Sequence, residues 1–268
     1  MKEASFSPKS PESPESSSAG AFPRTLFLLS VIPGGPETVS GGLRRPRHED
    51  AHNAAILTLR QGLGIFASPE FQKNGALTRE NLERAMRKPL PDLPEIMTEP
   101  LGKPYFRDPC LPCFSFAHSG NLVFLGISDC PLGVDAERVT ARRNLDGISK
   151  RFYSPEEQNY LKEAETPSAM TERFFELWTL REAAGKLTGA GIQDFEKTRV
   201  IPGAGRLSVA GKEMRAFSGK VLLCNDIWYL AAALPAGKHS GICPLPELIT
   251  GSPEGFSLAS WKLWTKED

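Results

Sequence analysis

The stretch Gly133-Val134-Asp135-Ala136-Glu137 places two carboxylates one residue apart in a run that otherwise has the character of a strand. Successive side chains of a strand alternate faces, so Asp135 and Glu137 point the same way with their charges close together. Such a pair is costly unless water, a partner or a cation neutralises it. A third carboxylate is offered by Glu182 in FFELWTLREAAGK, a segment of helical spacing. There Trp178, Glu182 and Lys186 lie four apart and share one face. Asp135, Glu137 and Glu182 make an all-oxygen set without histidine or cysteine, which favours a hard cation, magnesium above all. Magnesium binds through one or two carboxylates plus substrate phosphates. The set therefore implies a phosphate-bearing substrate, with Lys186 supplying a point charge to a phosphate oxygen.

Each feature has a plainer explanation when taken alone. Asp135 and Glu137 suit the wet face of an edge strand, and Glu182 with Lys186 suits a solvated i,i+4 ion pair. The context argues otherwise: the flanking strands are strongly apolar and Val134 faces away from the carboxylates, so GVDAER is expected to be a central strand. His118, in FAHSGN, sits between two apolar strands and a Ser-Gly-Asn turn. That position suits a satisfied turn histidine and a phosphate donor equally well. No G-x-S-x-G elbow accompanies Ser119 and no acid is placed to orient His118, which argues against a serine hydrolase.

The elements that must position these groups follow from pattern. RTLFLLSVI is a first strand, followed by a Gly/Pro loop carrying Arg44, Arg45 and Arg47 and by a helix over EDAHNAAILTLRQGLGIF. LTRENLERAMRK is a second helix with Thr78 as N-cap, ended by prolines 89, 91 and 94. CFSFAH, NLVFLGIS and PLGVDAER are three strands, the first two joined as a hairpin at SGN. A helical block follows: RRNLDGISKRFY, then SPEEQNYLKEA with a Ser154–Glu157 capping box, then SAMTERFFELWTLREAAGKLTG ending at Gly189. Strands return at EKTRVI, RLSVA, GKVLLC and IWYLAAAL.

This order predicts an α+β fold of two halves of similar size, at 22–131 and 132–239. A disordered Pro/Ser/Glu-rich leader over 1–21 precedes them, and a C-terminal extension over 240–268, with Trp261 and Trp264, packs back on the body.

Lysine plus arginine balances aspartate plus glutamate at 32 each, so no global charge points to nucleic acid, and electrostatic recognition must be local. The longest apolar run, Leu26 to Ile32, is too short to span a bilayer, and the leader lacks the basic start of a signal peptide. A cytoplasmic monomer is expected, with no membrane or nucleic-acid partner. The cysteines number five, an odd count that argues for reduced thiols. Cys110 and Cys113 have C-x-x-C spacing, but no second pair completes a zinc site, and two thiols in a loop and a strand are expected.

Four segments in order, LGKPYF at 101–106, FSFAHSG at 114–120, LGVDAER at 132–138 and FFELWTLREAAGKLTGAGI at 174–192, resemble the successive signatures of the 4'-phosphopantetheinyl transferases of the larger, surfactin-synthetase-activating type. The resemblance implies two α+β halves forming a pseudo-dimer, with coenzyme A and magnesium in the cleft between them. It implies transfer of the phosphopantetheine arm of coenzyme A to a serine of an apo acyl or peptidyl carrier protein, releasing adenosine 3',5'-bisphosphate. Residue by residue it implies that Asp135, Glu137 and Glu182 hold magnesium, that His118 and Lys186 contact coenzyme A phosphates and that Lys103 lies by the nucleotide. Glu182 and Lys186 are then the catalytic pair, and the loop of Arg44, Arg45 and Arg47 is assigned to the 3'-phosphate.

Two positions depart from the family pattern. Ala117 stands where serine is usual, removing a hydroxyl that could reach a phosphate, and Arg181 replaces the usual lysine before Glu182. These, with an N-terminal half that matches the family poorly outside GKP, motivate an alternative, a catalytically weakened coenzyme A-binding or accessory homologue of the same fold. A magnesium-dependent phosphohydrolase on another fold ranks last.

Overall fold

The computed structural model describes residues 24–32, 48–74, 79–140, 144–223, 226–236, 248–250 and 256–264. The leader, Arg44, Arg45, Arg47, Thr78, Cys224 and Cys243 lie outside the described residues.

In chain order the elements are β1 (Thr25–Val31), α1 (His48–Phe66), α2 (Pro69–Asn74), α3 (Arg79–Met86), β2 (Ile96–Thr98), β3 (Pro104–Phe106), β4 (Cys113–Ser119), β5 (Leu122–Ser128) and β6 (Gly133–Arg138). They continue as α4 (Leu145–Phe152), α5 (Pro155–Lys162), α6 (Pro167–Thr188), β7 (Thr198–Ile201), β8 (Arg206–Val209), β9 (Lys212–Leu223), β10 (Asp226–Pro235), β11 (Leu248–Thr250) and β12 (Phe256–Trp264). The mixture of helices and mostly antiparallel sheets, with β1 and β11 the parallel pair, is the α+β class expected.

A four-stranded sheet has the order β11-β1-β5-β4, with β4 and β5 an antiparallel hairpin whose turn glycine, Gly120, has φ +55°. A second sheet runs β6-β10-β9-β8-β7, and β12 pairs with the length of β9 that β8 leaves open. β2 and β3 form a separate ribbon. The two large sheets share a core in which Phe27, Leu29, Phe124 and Ala117 of the first meet Val134, Ala136, Trp228 and Leu230 of the second. Helix α1 covers the other face of the first sheet through Leu59, Leu63 and Phe66. Helix α6 covers the other face of the second through Phe175, Leu180 and Ala184.

The helix ends obey local chemistry. The α5 capping box is complete: Glu157 N–H donates to Ser154 Oγ at 3.3 Å and Ser154 N–H to Glu157 Oε2 at 2.7 Å. Thr166 caps α6 with Pro167 in its first turn, and Gly189 ends it in the left-handed region at φ 77°.

One expectation is corrected. β6 is the terminal strand of its sheet, not a central one. It is nonetheless buried because β4 lies along its open edge: Val134 N–H donates to Ser115 Oγ at 3.1 Å and Arg138 N–H to Ser119 Oγ at 2.8 Å. Serine hydroxyls thus take the place of a neighbouring strand's carbonyls. The thiols of Cys110 and Cys113 are free, the first in a turn and the second opening β4.

Candidate functional site

The site is built where α6 crosses β6. A Cβ placed on Gly133 would lie 2.1 Å from the Ala183 carbonyl oxygen and 2.3 Å from the Leu187 nitrogen. Only glycine lets the helix backbone lie directly on the strand there. Two residues along the same face Asp135 meets Lys186, with Nζ 2.8 Å from Oδ1. Lys186 therefore reaches across to the strand instead of closing an ion pair with Glu182 on its own helix.

Asp135 is 6 % exposed, and its second oxygen, Oδ2, is buried without a hydrogen-bond partner. Glu182 makes no hydrogen bond among the described residues. Burial pushes its carboxyl up to about 7; Asp135 adds to the rise, Lys186 opposes it and Glu137 adds further. Three carboxylates thus feel one another across the strand–helix junction with one lysine between them. Glu137, beyond Ala136 on the same face, accepts from Ser119 Oγ at 3.4 Å. Ala136 itself is 3 % exposed and packs into the shared core, behind the carboxylates.

Among the described residues no group of three or more His, Cys, Asp or Glu side chains is already gathered as a metal cage. The donor chemistry nonetheless fits a hard cation. The set is all oxygen, one oxygen is orphaned and the negative charge exceeds the positive charge beside it.

Beside this junction opens a cleft of about 290 Å³ whose walls include Lys103, Ser115, Phe116 and Lys186. Its far side is glycine backbone just past α6, at Gly189 and Gly191. Lys103 Nζ donates to the Leu187 carbonyl at 2.7 Å, satisfying an end carbonyl of α6. Burial pulls its ammonium below the ordinary lysine value, with Glu99 opposing.

Of the residues singled out from sequence, Asp135, Glu137, Glu182 and Lys186 come together, and Lys103 shares the cleft with Lys186. His118 is exposed on β4, two residues beyond Phe116, and does not line the cleft.

The two departures from the family pattern fall elsewhere than expected. Ala117 is 4 % exposed in the core between the sheets and does not line the cleft, so its missing hydroxyl is not one taken from a phosphate there. Arg181 is fully buried and holds Glu157 with both arms, Nε–Oε1 at 3.1 Å and Nη2–Oε2 at 2.5 Å. Its Nη1 donates to the Phe195 carbonyl at 2.7 Å. It ties α5 to α6 and does not face the cleft. Sequence reasoning passed over Ser115, weighed Ser119 only as a nucleophile and took Gly133 only as the entry to its strand. Their signal was the alternation of Ser115, Ala117 and Ser119 on one face of β4 and a glycine at the head of β6.

Residues 131–222 match the family model described as the 4'-phosphopantetheinyl transferase superfamily. A putative 4'-phosphopantetheinyl transferase of Synechocystis is 36% identical over 106 residues, 38% of this chain and 43% of the relative. The transferase psf-1 of Bacillus pumilus is 41% identical over 100 residues, 35% and 40% of the two chains. The transferase Sfp of Bacillus subtilis is 34% identical over 95 residues, 35% and 41%. The match spans less than half the length of each of these relatives. The matched segment, residues 131–222, carries Asp135, Glu137, Glu182 and Lys186, and over that segment the chain is similar to the 4'-phosphopantetheinyl transferase superfamily.

Proposed function

We propose that the protein transfers the 4'-phosphopantetheine arm of coenzyme A to a serine of an apo carrier protein, acyl or peptidyl, in a magnesium-dependent reaction. Adenosine 3',5'-bisphosphate is released. The observation that carries this reading is the junction of β6 and α6, where Asp135 holds Lys186 and Glu182 feels the charges of Asp135, Lys186 and Glu137, beside a lysine-lined cleft. The two sheets stand for the paired halves of this family, and the cleft for its coenzyme A site.

Asp135, Glu137 and Glu182 would hold the magnesium ion. When bound, it supplies positive charge against the charge that grows on the leaving phosphate. The serine oxygen forms a bond to the β-phosphorus as the bond from that phosphorus to the bridging oxygen breaks. The electron pair leaves with the adenosine bisphosphate. Glu182 takes the serine proton, directly or through a water, and Lys186 steadies a phosphate oxygen as a point charge. Lys103 adds a contact to coenzyme A within the cleft; His118, exposed on β4 outside it, is assigned to a coenzyme A phosphate beyond the cleft, and Arg44, Arg45 and Arg47 to the 3'-phosphate. The alternative of a weakened coenzyme A-binding homologue keeps one of its motives, the divergent N-terminal half, while Ala117 and Arg181 both lie in packed interior.

The test is mass spectrometry of apo carrier proteins incubated with the protein, coenzyme A and magnesium. A mass gain of one phosphopantetheine is expected, lost in E182A with the fold retained. Coenzyme A binding without a gain on any host carrier overturns the reading.

A further inference from the structure

Ser115 makes only one of the hydrogen bonds its hydroxyl can. Its Oγ accepts from Val134 N–H at 3.1 Å, and the residue is 6 % exposed. A hydroxyl also carries a proton to donate, and among the described residues that proton has no acceptor. Buried donors are satisfied with few exceptions.

Ser119, two positions along the same face, is the internal comparison. It accepts from Arg138 N–H in the same way but spends its proton on Glu137 Oε2. Ser115 has no such carboxylate, and opposite it on β5 stands Gly126, which has no side chain. What Ser115 does have is a place in the wall of the cleft, together with Lys103 and Lys186.

We propose that the Ser115 hydroxyl is a ligand-binding group of this cleft, donating its hydrogen bond to a phosphate oxygen of the ligand that Lys103 and Lys186 attract. The N–H of Val134 fixes the hydroxyl oxygen on the lone-pair side, so the proton is presented outward at no further ordering cost when the ligand arrives. The same N–H belongs to the strand that carries Asp135. Ser115 thereby links the strand of the carboxylates to the phosphate they face. The inference rests on the reading of the cleft as the coenzyme A site.

The experiment is calorimetric titration of wild type, S115A and S115T with coenzyme A, 3'-dephospho-coenzyme A and adenosine 3',5'-bisphosphate. A hydrogen bond to a charged oxygen is lost in S115A, so coenzyme A binding is expected to weaken by about tenfold or more. S115T, which restores the hydroxyl, recovers it. A loss that persists with 3'-dephospho-coenzyme A places the contact on the pyrophosphate; a loss that disappears there places it on the 3'-phosphate. S115C keeps the shape with a weaker donor and carries the same expectation should S115A not fold. Equal affinity of S115A and wild type overturns the inference, as does an equal loss in S115A and S115T, which marks packing and not the hydroxyl. A wild type that binds none of the three probes overturns the reading of the cleft and the inference with it.

Discussion

Lys186 Nζ lies 2.8 Å from Asp135 Oδ1, while Asp135 Oδ2 is buried with no partner. The lysine that sequence alone would pair with Glu182 is therefore the counter-charge of the strand carboxylate. Removing it leaves a nearly buried Asp135 uncompensated beside two further acids. K186A is expected to lower stability by about 1–3 kcal/mol in metal-free buffer. Added magnesium should close part of that gap, since a cation at the carboxylates replaces the lost charge. Thermal unfolding with chelator and with magnesium checks both; a K186A variant as stable as wild type without metal would show that Asp135 needs no counter-charge.

Glu182 gives a pH dependence with a definite sign. Its carboxyl is pushed up to about 7 from an ordinary 4.5, by burial first and by Asp135 next, so folding favours the protonated form. Its contribution is fully present below about 4.5 and lost as pH rises through about 7. E182Q removes the titration. In metal-free buffer at pH 8 the variant should be more stable than wild type by on the order of 2 kcal/mol, allowing for partial exposure, and the difference should vanish in acid. Melting curves at several pH values with chelator decide it, and a variant less stable than wild type at pH 8 would contradict the crowding of the three acids.

The Arg181–Glu157 pair has no exposure on either side. Breaking one partner leaves a buried charge, so R181A should cost about 3–5 kcal/mol. R181K keeps the charge but loses the fork that meets both Glu157 oxygens and the Phe195 carbonyl. It should fall between wild type and R181A. The pair double mutant R181M/E157L should be milder than R181A, because no unpaired charge remains. Chemical denaturation of the four proteins checks the order. A double mutant worse than R181A would mean that the pair stabilises beyond the cost of burying it.

Much of this was legible in the chain because local chemistry wrote it. The capping box at Ser154 and Glu157, the αL end at Gly189 and the hairpin turn at Gly120 depend on neighbours within a few residues. Asp135 and Glu137 shared a face because strands alternate. What was not legible depended on partners far along the sequence. β6 is an edge strand whose burial comes from serines of β4, nineteen residues earlier in each pair. Lys186 chose Asp135, fifty-one residues away, over Glu182 one turn back. The short helix α2 at Pro69–Asn74 offered too few residues for a period to appear.

Ala117 tests where the missing serine hydroxyl would go. Odd-numbered N–H groups near this end of β6 face β10, as Val139 N–H does toward the Ile227 carbonyl at 2.8 Å. Even-numbered ones face β4, as those of Val134 and Arg138 do. By alternation Ala136 N–H also faces β4, at the level of Ala117, between the two serine contacts. A117S should therefore supply a third hydroxyl acceptor along the same edge, worth about 0.5–1.5 kcal/mol. A gain of that size corresponds to a melting point higher by roughly 1–6 °C in a chain of this length. Because Ala117 does not line the cleft, coenzyme A affinity and the transfer rate should stay unchanged. Scanning calorimetry beside a titration with coenzyme A separates the possibilities. Tighter coenzyme A binding with no gain in melting point would mean that this position does reach a phosphate, and that β4 is turned by one residue from the register found here.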